Sequence, residues 1–197
     1  MGLRADCGIT VCIPSIPPRR QLLRRAIASV LDQTLPADAI SVAVDNHRTG
    51  AAVTRQRALE AVRSPWTAFL DDDDEFLPEH LSLLLQHALD ADADYVFSWF
   101  QVVGGMDPFP PGRWAVPYDP AAPIASTITI LVKTELAQAV GFSDANRNPA
   151  NSGEDWLFQE ECEKLGAKIS HFVDPAYPFT WLWHHDSQNT SGLPHRW

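Results

Sequence analysis

The chain has 197 residues, 45% of them hydrophobic, which suits one globular domain with a sizeable core and leaves too little length for two full ones. Its 15 basic against 25 acidic residues give a formal charge of −10, which repels nucleic acid and anionic membrane surfaces. Cys7, Cys12 and Cys162 are odd in number and widely spaced, which fits a reducing compartment; with no membrane-spanning apolar run and no signal-peptide pattern, the expectation is a cytoplasmic protein.

Residues 9–13 form a short apolar run closed by Pro14, and a Pro-containing loop leads into 19–33, where Leu22, Leu23, Ala26, Ile27, Val30 and Leu31 recur at helical spacing. This predicts strand, loop and amphipathic helix. The cluster Arg19, Arg20, Arg24 and Arg25 is either a local basic cleft or a solvated helix face with buried alkyl stems. Residues 40–44 predict a second strand ending at Asp45, and 54–62 a second helix. A third strand over 67–70 is followed by a helix from 78 to about 89, and 95–103 predicts a long aromatic fourth strand. The Pro-rich stretch 104–123 should be irregular, as a lid, an acceptor wall or a rigid excursion. Beyond it come a strand over 127–133, a short helix over 134–140, and a helix over 155–165 closed by Gly166. Strands alternating with helices imply right-handed crossovers and a mostly parallel sheet flanked by helices. Ligands of such sheets bind beyond the carboxyl ends of the strands, so the loops 14–18, 45–47 and 71–75 should meet on one edge.

Five acidic residues, Asp71 to Glu75, stand between Phe69-Leu70 and Phe76-Leu77-Pro78. Adjacent carboxylates repel and resist ionisation, so something positive should sit beside them. The apolar and aromatic flanks separate this run from a disordered acidic tail and leave two readings. One is a divalent cation held by hard oxygen ligands; the other is a solvated turn that caps the next helix.

The order and spacing of motifs over nearly the whole chain resemble the family 2 glycosyltransferases, inverting nucleotide-sugar enzymes of the GT-A fold. Thr10 to Ser15 is similar to their opening strand, and Ser29-Val30-Leu31-Asp32-Gln33-Thr34 to the end of their first helix. Val42 to Asn46 resembles the acidic-ended second strand, Arg55 to Leu59 the Arg-Asn-x-Gly segment, and Asp71 to Asp74 the metal-binding Asp-x-Asp element. Gly153-Glu154-Asp155-Trp156 resembles the element that carries the catalytic base, and His184, His185, Asn189 and Ser191 the closing His-x-x-x-Asn-x-Ser pattern. Departures are Ser15-Ile16-Pro17 in place of Thr-Tyr-Asn, Asn46 in place of a second Asp, and Ala58 in place of Gly; they bear on recognition of the nucleobase.

The resemblance implies one GT-A (Rossmann-like) domain over 1–197, with 9–103 as the nucleotide-sugar half and 104–197 as the acceptor half and tail. It implies a nucleotide-diphosphate sugar donor, UDP-linked by preference, an acceptor it does not identify, and Mn²⁺ or Mg²⁺ as cofactor. Asp73 is the first metal ligand expected, Asp71 the second and His185 a third, with Asp72 and Asp74 alternating away if the segment is extended. Pro14, Ser15, Asp45, Asn46, Arg55, Asp71 and Asp72 are expected around the donor. Asp155 is the expected general base, and Glu154, Trp156 and His184 would orient the acceptor. Each has a structural alternative: an Asx turn for Asp45, a solvated helix charge for Arg55, a helix-dipole partner for Asp155, and packed rings for the histidines and for Trp156, Trp181 and Trp183. At the level of function the alternatives are a non-catalytic nucleotide-sugar-binding module of the same fold and a metal-dependent phosphohydrolase or nucleotidyltransferase.

Overall fold

A computed structural model describes residues 7–142 and 153–185. In chain order the elements are β1 (Ile9–Ser15), α1 (Arg20–Leu31), β2 (Ala39–Val44), α2 (Ala51–Glu60), β3 (Trp66–Phe69), β4 (Glu75–Phe76) and α3 (His80–Asp90). They continue as β5 (Tyr95–Phe97), β6 (Phe100–Val103), β7 (Ile130–Lys133), α4 (Thr134–Val140), α5 (Glu154–Lys164), β8 (Ile169–His171) and β9 (Trp181–His184). Six strands form the main sheet in the order β2-β1-β3-β7-β5-β8, and β4-β9-β6 form a smaller one. The fold is mixed α/β, with helices on both faces of the main sheet.

All seven residues of β1 are buried, as a near-continuous apolar run requires when a strand is covered on both faces. Period-two alternation then sorts the side chains into two cores. Ile9, Val11, Ile13, Ala68, Val96 and Leu131 join α1, α3 and the small sheet, while Cys12, Phe69, Tyr95, Phe97, Ile130 and Val132 join α2, α4 and α5. Leu22, Ala26, Ser29 and Val30 form the buried stripe that docks α1.

Strand β1 pairs parallel with both β2 and β3. Their carboxyl ends therefore deliver Ser15, Asp45 and Leu70 to one edge, and that edge is tied by Asp45 N–H to Ser15 O at 2.8 Å and Leu70 N–H to Cys12 O at 3.1 Å. Strand β7 runs antiparallel to both neighbours, whereas β5 and β8 are parallel.

The single strand expected over 95–103 is two strands in two sheets. The chain leaves the main sheet at Ser98 and Trp99, because Ser98 Oγ lies 2.6 Å from Thr180 Oγ1 and Trp99 O accepts Thr180 N–H at 3.1 Å, drawing the following residues onto β9. The expected strand over 127–133 is shortened to β7, and the short strands β4, β8 and β9 add to the predicted set. Gly166 has φ +83°, the left-handed conformation that ends α5 as the sequence predicts. The stretch 104–123 contains one 3₁₀ turn, Arg113–Ala115, and is otherwise irregular. Among the described residues no helix is long and apolar enough to cross a membrane. Asn189 and Ser191 lie outside the described residues.

Candidate active site

Strand β3 ends at Phe69, and the acidic run follows as a tight turn: Asp74 N–H donates to Asp71 O at 3.2 Å before β4 begins at Glu75. The run lies mostly inside the protein, with Asp72, Asp73 and Asp74 only 2%, 6% and 3% exposed. Buried carboxylates need partners, and three guanidinium groups supply part of that charge. Arg19 Nη1 lies 2.8 Å from Asp72 Oδ1 and 3.2 Å from Asp73 Oδ2. Arg25 donates through Nη2 to the Asp73 carbonyl at 2.6 Å and sets Nε 3.2 Å from Glu75. Arg55, on α2 and 3% exposed, donates through Nη2 to Asp71 at 2.7 Å and through Nη1 to Glu154.

The four-Arg cluster thus divides by position. Arg20 and Arg24 are exposed, while Arg19 and Arg25 face the acidic run. Sequence alone offered a cleft or a solvated face for the whole cluster; the fold gives the first to Arg19 and Arg25 and the second to Arg20 and Arg24.

Because the chain turns rather than staying extended, Asp74 does not alternate away. Asp71, Asp73 and Asp74 each present a carboxylate oxygen, all within 4.8 Å of one another. Burial pushes Asp73 up to about 7, with the charge of Asp71 adding and Arg19 opposing. Burial also lifts Asp74 well above the ordinary carboxylate range, with Asp73 and Asp71 adding and the His184 N–H opposing. Three hard oxygen donors, two of them resisting ionisation, are the donor chemistry that suits Mg²⁺ or Mn²⁺. Asp72 stands apart, accepting Ser15 Oγ–H at 2.6 Å as well as the Arg19 contact. Burial raises it too, against the hydrogen bonds of Ser15 and Arg19.

Around the trio, Pro14 and Ser15 end β1. Asp45 accepts His47 N–H and Gly50 N–H at 2.9 Å each, the Asx-type arrangement. Burial would raise this carboxyl, yet hydrogen bonds from Thr49, His47 and Gly50 outweigh it and hold Asp45 at about 2. Asn46 is exposed, with its amide 3.5 Å from the Val44 carbonyl.

Helix α5 starts at Glu154 with Gly153 as its N-cap residue, so Glu154 and Asp155 both occupy the first turn, where the helix dipole favours anions. Asp155 is nonetheless pushed up to about 7 by burial, against the lowering pull of Arg55 and an Ile128 backbone hydrogen bond. Trp156 is half-buried on the same turn. Trp181 is fully buried and packs tilted against Phe100, which makes it core.

His184 donates its backbone N–H to Asp74 at 2.9 Å and sets Nε2 2.7 Å from Glu75. His185 packs edge-on against Trp183 at 4.3 Å, its N–H donating to Val103 O at 2.8 Å. Among the described residues, the side chains close enough to share an ion with Asp71 and Asp73 include Asp74 and neither histidine.

The raised Asp155 carboxyl gives a signed expectation. An acid whose folded value lies above its ordinary 3.8 destabilises the fold as pH rises from about 4 to about 7, since the folded state holds the proton longer. Thermal melts of Asp155→Asn and wild type should therefore diverge over that window, the variant gaining relative stability as pH rises and levelling off above it. A relative stability that is flat or falls with pH would contradict the burial argument.

The sequence profile described as glycosyl transferase family 2 matches residues 39–140, about half of the chain. No curated protein matches it. Among solved structures, S. aureus TarS 1-349 superimposes with a TM-score of 0.74 at 17% identity, over 90% of this chain and 60% of that one. The same protein in complex with UDP-GlcNAc gives a TM-score of 0.76 at 16% identity, over 95% and 61% of the two chains. Its complex with UDP gives 0.72 at 17% identity, over 90% and 60%. The chain thus spans about 60% of the length of those solved chains, and the likeness is one of fold. With the profile running from β2 through α4, across the Asp45 loop, Arg55 and the acidic run, the chain belongs to glycosyl transferase family 2.

Proposed function

We propose that this chain, acting as one GT-A domain, transfers a sugar from a nucleotide-diphosphate donor, UDP-linked by preference, to an acceptor hydroxyl with inversion and with the help of a divalent cation. What carries the reading is Arg55: one buried guanidinium joins Asp71 of the acidic run to Glu154, bringing the strand-end carboxylates and the start of α5 together. The solved TarS complexes with UDP and UDP-GlcNAc support the choice of donor class.

In this reading Pro14, Ser15, Asp45 and Asn46 line the nucleoside end. Asp45, ionised at any working pH, brings a fixed negative charge to that end while its oxygens accept hydrogen bonds from His47, Thr49 and Gly50. Asp71, Asp73 and Asp74 would hold Mn²⁺ or Mg²⁺, which when bound supplies charge stabilisation for the departing diphosphate. Asp155 in its ionised form removes the proton of the acceptor hydroxyl as that oxygen attacks C1 and the bond from C1 to the diphosphate oxygen breaks. A carboxyl poised at about 7 is well matched to that transfer near neutral pH. Arg55 fixes Asp71 and Glu154, and Glu154, Trp156 and His184 border the acceptor side.

Nucleotide release from a panel of UDP- and GDP-sugars tests the reading. UDP release that needs added Mn²⁺ or Mg²⁺ and stops with chelator is expected, and release insensitive to chelator would overturn the cation's part in it.

A further inference from the structure

Arg19 contacts two carboxylates with unequal prospects. Asp72 is outside the trio, 2% exposed, and also anchored by the Ser15 hydroxyl at 2.6 Å, so the 2.8 Å Arg19-Asp72 pair is a fixed structural bond. Asp73 is inside the trio, and its Oδ2 lies 3.2 Å from the same Arg19 nitrogen. A guanidinium at hydrogen-bonding distance from a carboxylate supplies the charge that a bound ion would otherwise supply. A cation coordinated by Asp73 would meet Arg19 at close range in a poorly screened site, where two like charges repel strongly.

We propose that Arg19 is an internal cation that occupies the Asp73 side of the trio in the metal-free protein, so that a divalent ion binds by displacing it while it stays anchored to Asp72. Arg19 thereby sets the affinity for the ion: its charge compensates Asp73, and a divalent ion meets a competition that removing Arg19 abolishes. Two ligands that exclude one another lower each other's affinity by the same factor. Arg25 differs, because its direct contacts are the Asp73 carbonyl and Glu75, and its charge bears on the trio only through space, at Asp74. The inference rests on the trio being the metal site of the proposed function.

The test is Mn²⁺ binding to the full chain without nucleotide, followed by electron paramagnetic resonance of the free ion. Arg19→Gln should bind Mn²⁺ about tenfold more tightly than wild type, and Arg25→Gln should change the affinity much less. Asp73→Ala should abolish the tight site in either background. Equal or weaker binding by Arg19→Gln, with the Asp73 dependence intact, overturns the role of Arg19 and leaves the metal site standing. Binding indifferent to Asp73→Ala in both backgrounds removes the metal site itself. Should Arg19→Gln fail to fold, the wild-type protein still decides the matter: the Arg19 guanidinium NMR signal, identified by its loss in Arg19→Lys, should shift on saturation with Mg²⁺. A signal that does not move overturns the displacement.

Discussion

Asp155→Asn is expected to lower sugar transfer by about 10²–10⁴-fold, the range that a positioned general base contributes. Nucleotide affinity should change little, because Asp155 sits on the first turn of α5 rather than among the strand-end carboxylates. The direction of the pH effect follows from the same environment. Burial raises the carboxyl to about 7, and the ionised form is the base, so wild-type kcat/KM should rise through that region and level off above it. The variant should lose that rise. Steady-state transfer measured across pH for both proteins checks the expectation, and transfer that survives in Asp155→Asn with an unchanged profile would remove the assignment.

Arg55→Ala is expected to give the largest loss of stability among single changes at the site. Arg55 is 3% exposed and bonds two carboxylates contributed by different parts of the chain, the end of β3 and the start of α5. Removing one member of a buried ion pair costs about 3–5 kcal/mol, because the other charge is left without its partner. Here Asp71 and Glu154 keep side-chain exposures of 36% and 22%, so water takes over part of the lost interaction and the expected cost falls to about 2–3 kcal/mol. For a chain of this size that corresponds to a drop in Tm of roughly 5–10 °C. Arg55→Lys should fall between, since a lysine keeps the charge and loses the fork that reaches both carboxylates. Thermal unfolding of the three proteins checks this order; an Arg55→Ala protein as stable as wild type would mean that the link between the acidic run and α5 carries no weight.

The parts of the fold that were legible in the sequence are those with strong local periodicity. The buried run of β1, the apolar stripe of α1 and the Gly166 stop all appear where the pattern places them, because burial on one face or two is written directly into the order of side chains. What escaped is set by non-local contacts. The apparent strand over 95–103 is a largely apolar, aromatic run, and only its pairing with β9, far along the chain, shows that it serves two sheets. Glu75–Phe76 reads as the tail of an acidic loop until β9 pairs with it.

The site divides in the same way. The alternation of strands and helices brought together the loops after β1, β2 and β3. It did not reveal that Arg19 and Arg25 reach the acidic run, since nothing in the local pattern of α1 distinguishes them from Arg20 and Arg24. Nor did it place Asp74 with Asp71 and Asp73, because the expectation assumed an extended segment where the chain turns. Arg55, expected around the donor, has Asp71 and Glu154 as partners, which makes it a brace between the acidic run and the start of α5.

Calorimetric titration of UDP into wild-type and Asp73→Ala protein, each with Mn²⁺ and with chelator, bears most directly on the role of the acidic run. UDP binding that requires Mn²⁺ in the wild type and is abolished by Asp73→Ala is the predicted result. Binding of equal strength in chelator, or binding with Mn²⁺ that Asp73→Ala leaves intact, would contradict it.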